Sequence, residues 1–65
     1  MDYYKIYNDF MLDRQQHPRY KTYYEEHHIL PRAMGGNDDS SNLVKLTARE
    51  HCLAHMILAK ACKGS

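Results

Sequence analysis

The amino-acid sequence predicts a small single-domain α+β protein with the order helix, strand, loop, strand, helix. Two observations lead to this fold class: apolar residues at helical spacing near both ends of the chain, and two short β-forming runs on either side of a loop. The 65 residues leave room for one domain, 1–65, and a chain of this size buries only about 60% of its unfolded surface. We therefore expect a metal ion or a partner to contribute to stability.

A first helix is predicted over residues 3–16. Its apolar residues recur at helical spacing, at Tyr3, Tyr4, Tyr7, Phe10 and Met11. Pro18 limits the segment because proline cannot continue a helix. We interpret the tyrosines as core-packing side chains with polar tips rather than as base-stacking residues, and we assign them no chemistry.

Two short strands are predicted in the middle of the chain. Residues 20–30 are rich in β-forming side chains, and Pro31 ends the run because it lacks the N–H that a strand ladder needs. The following segment, PRAMGGNDDSSN, is rich in loop-forming residues, and its Gly35 and Gly36 are expected to permit a turn with positive φ. The sequence LVKL at residues 43–46 then predicts the second strand.

The final helix is predicted to begin at about Ala48. The sequence TARE is a capping box, in which Thr47 bonds the amide of Glu50 and Glu50 reaches back to the amide of Thr47. One apolar face follows, formed by Leu53, Ala54, Ile57, Leu58 and Ala61. Gly64 is expected to terminate the helix.

Charge and composition limit the classes of protein that the chain can represent. Nine Lys and Arg against eight Asp and Glu give a net charge of +1, so charge alone does not argue for nucleic-acid binding. No apolar run reaches the roughly 20 residues of a membrane helix, and the first residues lack the features of a signal peptide. We therefore expect a cytoplasmic protein without membrane contact. Cys52 and Cys62 should lie about 15 Å apart within the final helix, too far for a disulfide.

Four of the five histidines form a pattern that indicates a metal site. His27 and His28 are adjacent on a predicted strand, so their side chains point to opposite faces and serve different purposes. His51 and His55 lie four residues apart on one helix face, a spacing that suits two ligands of one metal but also arises by chance on surface helices. His17 has no partner in the pattern, and we interpret it as structural.

The residues around His51 and His55 exclude two common kinds of zinc site. A zinc protease of the HExxH type needs a glutamate after the first histidine, and this position is Cys52. A Cys2His2 finger needs two cysteines upstream, and no cysteine precedes Cys52. The remaining arrangement combines one histidine of the adjacent pair with His51 and His55, leaving coordination positions open for water and substrate. The other histidine of the pair is then free to act as a base, because histidine exchanges protons near neutral pH.

The stretch EEHHILPRAMGGNDDSSNLVKLTAREHCLAH resembles the signature of HNH endonucleases, the ββα-metal or His-Me finger nucleases, and especially the small bacteriophage HNH enzymes. The match runs from about residue 23 to residue 60. It holds a histidine pair, a GG.DD..NLV.LT.REH segment and a final histidine in the order and at the separations of the family. The resemblance implies a ββα-metal core at about residues 22–63, which follows the N-terminal helix predicted above from its apolar spacing.

The resemblance also assigns site residues. It implies that His28 is the general base and that His27, His51 and His55 are metal ligands, as in the three-histidine branch of the family that includes the colicin DNases. Asn42 takes the position of the central Asn of the family name. We favour a role in positioning the loop for Asn42, because three histidines are available for the metal; in other branches this Asn is itself a ligand.

Other charged residues lie near the pattern in sequence. Arg32 and Arg49 are candidate DNA-binding residues that could clamp flanking phosphates, although an exposed arginine is more often a solvated charge. Glu25 stands where relatives often carry an acid in the site. We interpret Glu25 as a charged residue on the face of the strand.

The function implied by the resemblance is metal-dependent hydrolysis of DNA phosphodiester bonds, by nicking or double-strand cleavage, with one divalent metal ion. Three imidazoles favour tight binding of Zn²⁺ or Ni²⁺, whereas Mg²⁺ or Mn²⁺ is expected for activity. Because little sequence follows the final helix, we expect a larger nuclease assembly or a DNA-recognition partner besides DNA, in the host cytoplasm if the protein is phage-encoded. The alternatives are a catalytically silent, metal-stabilised DNA- or protein-binding module, and a helical interaction protein with incidental histidines.

Overall fold

The chain folds as a helix, a two-stranded antiparallel sheet and a second helix, which confirms the predicted α+β class. The computed structural model describes residues 1–63. Its elements are helix α1 at Tyr3–Gln16, strand β1 at Glu25–His28, strand β2 at Leu43–Leu46 and helix α2 at Ala48–Lys63. Two 3₁₀ turns lie in the loop between the strands, at Arg32–Met34 and Ser40–Asn42. The predicted terminator Gly64 lies outside the described residues.

Helix α1 is held by a cap at its start and by a narrow apolar stripe. The Asp2 carboxylate accepts a hydrogen bond from the Lys5 amide at 3.0 Å, which satisfies one free N–H of the first turn. Among the apolar residues predicted for this helix, Tyr7 and Met11 are buried, whereas Tyr4 is 49% exposed. The helix therefore packs through residues four positions apart rather than through all of its tyrosines.

The register of the two strands decides which side chains share a face. His27 pairs with Val44, and Glu25 pairs with Leu46. Paired residues of an antiparallel ladder lie on the same face, and successive residues alternate between faces. His27 and Glu25 therefore lie on the core face with Val44 and Leu46, and His28 lies on the opposite face.

Helix α2 begins with the capping box that the sequence predicts. The Glu50 amide donates to Thr47 Oγ1 at 3.1 Å, and the Thr47 amide donates to Glu50 Oε1 at 2.9 Å. Arg14 of α1 pairs with the second carboxylate oxygen of Glu50, so the cap also joins the two helices. Leu53 is 45% exposed, so the apolar face of α2 is narrower than predicted. The core contains Tyr7, Met11, Val44, Leu46, Ala54 and Leu58.

The loop between the strands needs its two glycines for different reasons. Gly35 has a φ of 95°, in the left-handed region that favours glycine. The expectation of a positive φ at Gly36 is wrong, since Gly35 alone has a positive φ within residues 1–63. A Cβ at Gly36 would lie 1.7 Å from the carbonyl oxygen of Leu30, so the close approach of the backbone requires glycine there. The loop thereby folds back onto the end of β1.

Neither of the two described helices is long and apolar enough to cross a membrane. The two cysteines, Cys52 and Cys62, are both free and exposed, in agreement with the expectation that they do not pair. His17 forms the C-cap of α1, where its amide donates to the carbonyl of Asp13 at 2.7 Å. This contact involves only the backbone of His17.

Candidate functional site

Three imidazole side chains meet where β1 faces α2. Each of His27, His51 and His55 offers one ring nitrogen, and these three atoms lie within 4.8 Å of one another. His27 comes from the core face of β1, and the other two come from successive turns of α2. Strand register and helical periodicity thus bring together residues that are up to 28 positions apart in the sequence.

His27 is the buried member of this histidine cluster. Its side chain is 2% exposed, and its Nε2 lies 2.7 Å from the hydroxyl of Tyr7, with which it forms a hydrogen bond. Burial, followed by the charges of the neighbouring histidines, lowers the pKa of His27 to about 4. Its imidazole is therefore neutral at physiological pH, which is the form that binds a metal.

His51 is oriented by Glu25, which lies two residues before His27 on the same face of β1. His51 Nδ1 lies 2.7 Å from Glu25 Oε1. Hydrogen bonds from Tyr23 and then from His51 lower the pKa of Glu25, so its carboxylate is charged and accepts the Nδ1 proton. The interpretation of Glu25 as only a strand-face charge is therefore incomplete, because its side chain contacts the histidine cluster. The sequence signal for this contact was that Glu25 lies two positions before His27, and therefore on the same face of the strand.

The chemistry of the donor set fits a transition-metal ion. Imidazole nitrogens are ligands for Zn²⁺, Ni²⁺ and similar ions. His51 Nε2 and His55 Nε2 are 3.1 Å apart, close to the roughly 3.3 Å that separates two nitrogens of a tetrahedral zinc site. The carboxylate of Glu25 behind His51 resembles the carboxylate–histidine pairs that orient metal ligands. A metal ion held by only these three histidines would keep coordination positions for water and substrate.

The histidine cluster opens into a cleft with a volume of about 310 Å³. The cleft is lined by Glu26, His27, His28, Pro31, Arg32, His51 and His55. A larger concavity, of about 490 Å³, is lined by the end of α1 and by β2 and contains no histidine. The smaller cleft is the better candidate site, because it holds all four histidines of the sequence pattern.

His28 also lines the cleft, but its side chain has different partners from that of His27. Its Nε2 lies 2.7 Å from Asp38 Oδ1. Arg32 Nη2 donates to both oxygens of Asp38, at 2.8 and 2.7 Å. Hydrogen bonds from His28 and then from Arg32 lower the pKa of Asp38, so the charged carboxylate accepts the His28 Nε2 proton. The adjacent histidines thus have different partners, Tyr7 for His27 and Asp38 for His28.

Asp38 is a site residue that sequence reasoning missed. It lies in the loop segment NDDSS, whose composition predicts only a turn. Its contact with His28 spans ten positions and depends on the path of the loop. No spacing rule identifies such a contact, because loops have no fixed period.

Asn42 ties the two ends of the loop together. Its Oδ1 accepts from the Leu30 amide at 2.8 Å, and its Nδ2 donates to the carbonyls of Leu30 and Asn37 at 3.0 and 2.8 Å. All three bonds are made to backbone atoms. Asn42 thus fixes the chain two residues beyond His28.

The two candidate phosphate-binding arginines differ in their surroundings. Arg32 lines the cleft and is paired with Asp38. Arg49 is exposed in the first turn of α2 and is absent from the residues that line the cleft. The structure therefore places Arg32, and not Arg49, in the lining of the cleft.

Comparisons with known proteins identify relatives among phage proteins. The chain is 57% identical over 60 residues to probable mobile endonuclease E of Enterobacteria phage T4, covering 92% of this chain and 43% of that protein. It is 50% identical over 64 residues to probable mobile endonuclease D of the same phage, covering 92% of this chain and 25% of that protein.

A further relative comes from outside the phages. An uncharacterized 38.5 kDa protein in psbA intron 1 of Chlamydomonas moewusii is 45% identical over 49 residues, covering 75% of this chain and 14% of that protein. No protein-family model matches the chain, and no solved structure matches it. The chain spans less than half the length of the curated relatives it matches. Over nearly its whole length, the chain is similar to segments of phage T4 proteins named probable mobile endonucleases.

Proposed function

We propose that the chain is a metal-dependent HNH endonuclease domain that hydrolyses DNA phosphodiester bonds, by nicking or by double-strand cleavage. The observation that carries the proposal is the approach of three imidazole nitrogens to within 4.8 Å of one another, in a cleft that also contains a fourth histidine. Similarity to proteins named as mobile endonucleases supports a nuclease family.

His27, His51 and His55 would hold one divalent cation. When bound, this cation supplies positive charge that stabilises the phosphoryl oxygens and the departing oxygen in the transition state. Mg²⁺ or Mn²⁺ is the ion proposed for activity, and Zn²⁺ or Ni²⁺ is proposed to bind more tightly, because imidazole ligands favour the later transition metals. Glu25 would hold His51 in the orientation that turns Nε2 toward His55.

His28 is the proposed general base. The charged Asp38 carboxylate can only accept, and its 2.7 Å contact with His28 Nε2 is much shorter than the 3.4 Å between Arg32 Nε and the same nitrogen. We therefore assign the proton of His28 to Nε2 and its lone pair to Nδ1. Nδ1 takes a proton from a water molecule as the oxygen of that water forms a bond to phosphorus. The opposite phosphorus–oxygen ester bond breaks in line, and the departing oxygen gains a proton from solvent. Asp38 acts in this scheme as the group that fixes the tautomer of the base.

The remaining predicted residues support this arrangement indirectly. Asn42 is proposed to position the loop that carries Asp38, through its three bonds to backbone atoms. Arg32 is proposed to contact a flanking phosphate while it remains paired with Asp38, and Arg49 is proposed to do so from the outer surface of α2. A larger nuclease assembly or a DNA-recognition partner would supply sequence selection, in the cytoplasm of the host cell if the chain is phage-encoded.

The second candidate function is a catalytically silent module that keeps the metal for stability. A structural clip needs the three-histidine cluster but has no use for an unligated, carboxylate-oriented histidine. The contact between His28 and Asp38, at 2.7 Å, therefore favours the enzyme.

Incubation of the purified protein with supercoiled plasmid tests the proposal. The reactions contain Mg²⁺, Mn²⁺, Ni²⁺, Zn²⁺ or EDTA, and His28→Ala serves as the matched control. We expect relaxed or linear plasmid with at least one of the metals, none with EDTA, and cleavage by the variant that is slower by roughly 10²–10⁴-fold. Equal products in the presence of EDTA would exclude metal dependence, and no product with any metal would favour the silent module.

A further inference from the structure

Tyr7 of α1 contacts one member of the adjacent histidine pair, His27, and the residue that follows the pair, Ile29. Its side chain is 2% exposed. Its hydroxyl oxygen lies 2.7 Å from His27 Nε2 and 2.7 Å from the carbonyl oxygen of Ile29. A buried tyrosine whose ring packs in the core thus also reaches a proposed metal ligand and the residue that follows the proposed base.

The direction of these two hydrogen bonds follows from the atoms involved. A backbone carbonyl can only accept, so the single proton of the Tyr7 hydroxyl is donated to Ile29. The hydroxyl oxygen must then accept from His27, so His27 Nε2 carries a proton. A neutral imidazole with its proton on Nε2 has its lone pair on Nδ1. Tyr7 therefore leaves Nδ1 as the ring nitrogen of His27 that can bind a metal.

We propose that Tyr7 is a positioning residue that holds His27 in the Nε2-protonated tautomer and presents Nδ1 to the metal. The inference rests on the proposed metal site. Glu25 has the complementary effect on His51, because it accepts the Nδ1 proton and leaves Nε2 as the ligand atom. The donor set is thus mixed, with Nδ1 from the strand and Nε2 from His51 on α2.

The chain of bonds from His27 through Tyr7 to Ile29 also fixes the angle of the ring. One partner on β1, His27, and one just beyond its end, Ile29, hold the hydroxyl in one place. The Tyr7 and His27 rings meet edge to face, with centroids 6.1 Å apart. Groups behind a ligand that set its tautomer and orientation typically change metal affinity by about 10–100-fold when removed. The N-terminal helix therefore contributes directly to the metal site as well as to the core.

Nitrogen NMR of the imidazole rings tests the tautomer without any use of activity. In the metal-free wild-type protein at pH 7, we expect a protonated Nε2 and an unprotonated Nδ1 for His27. On addition of Zn²⁺, the Nδ1 resonance should shift while Nε2 keeps its proton, and His51 should respond at Nε2. A metal-free His27 with its proton on Nδ1, or a Zn²⁺-induced loss of the Nε2 proton, would overturn the inference.

Calorimetric titration of Tyr7→Phe with Zn²⁺ provides the second measurement. This variant keeps the ring and removes the hydroxyl, so we expect affinity about 10–100-fold below wild type. Tyr4→Phe is the matched control, because Tyr4 lies on the same helix and is 49% exposed; its affinity should equal that of wild type. Equal affinity for Tyr7→Phe and wild type would contradict the positioning role.

The two measurements separate this inference from the proposed function. Failure of the wild-type protein to bind any metal would refute the proposed metal site, whereas the tautomer of metal-free His27 would still support or refute the hydrogen-bond chain through Tyr7. If Tyr7→Phe does not fold, the wild-type nitrogen spectra decide the inference. Weak binding by Tyr7→Phe with an intact circular dichroism spectrum supports it.

Discussion

Acidification of the metal-free protein should destabilise the fold through His27. The pKa of His27 is lowered from the ordinary value of 6.5 to about 4 in the folded protein, so between these pH values the unfolded chain binds more protons than the folded one. The contribution of neutral His27 to the free energy of unfolding is therefore complete above pH 6.5. Between pH 6.5 and pH 4 it falls by about 1.4 kcal/mol for each unit that the pH decreases. The full loss is about 3 kcal/mol, against the roughly 3–10 kcal/mol expected for the total stability of a domain of this size.

Urea denaturation followed by circular dichroism, in EDTA at pH 7, 6, 5 and 4.5, measures this loss. His27→Gln is the control, because glutamine keeps a polar side chain but does not titrate. We expect the free energy of unfolding of the wild-type protein to fall more steeply with decreasing pH than that of the variant. Parallel curves for the two proteins would show that His27 is protonated equally in the folded and unfolded states, which would refute the reasoning from burial.

Two further substitutions test the surroundings of the histidine cluster. Glu25→Gln removes the charged acceptor of the His51 Nδ1 proton, so Zn²⁺ affinity measured by calorimetry should fall by about 10-fold or more. Asp9→Asn removes the same charge from an exposed position on α1, where Asp9 pairs with Lys5, and should leave the affinity unchanged. Equal losses for both variants would point to net charge instead. Gly36→Ala places a Cβ 1.7 Å from the Leu30 carbonyl oxygen, so urea denaturation should show that the free energy of unfolding falls by about 1–3 kcal/mol or more. An unchanged urea midpoint would mean that the loop shifts to make room for the added Cβ.

Local sequence signals predict much of the fold. The capping box at Thr47 and Glu50 depends on residues three positions apart, so sequence alone locates the start of α2. The division between His27 and His28 follows from the alternation of a strand, and the pairing of His51 with His55 follows from the helical turn. These predictions succeed because the geometry of a helix or a strand fixes the spacing of residues that share a face.

Contacts between elements that are distant in the sequence could not be predicted from sequence patterns. The bond from Tyr7 to His27 spans 20 positions, and its geometry depends on how α1 packs against the sheet. Periodicity identifies Tyr7 as a core residue but does not reveal what its hydroxyl meets. Asp38 lies in a loop without a period, and Leu53 falls at the edge of the apolar face of α2, where pattern alone does not distinguish buried from exposed.

The division of labour between the adjacent histidines is tested by comparing His28→Ala with His51→Ala on the same preparations. Calorimetry with Ni²⁺ or Zn²⁺ gives metal affinity, and plasmid nicking gives activity. His28→Ala removes the proposed base but no ligand, so affinity should stay close to wild type while cleavage falls by roughly 10²–10⁴-fold. His51→Ala removes a ligand, so affinity and cleavage should fall together. Loss of metal by His28→Ala to the same extent as by His51→Ala, or nicking by His28→Ala at the wild-type rate, would contradict the proposed roles.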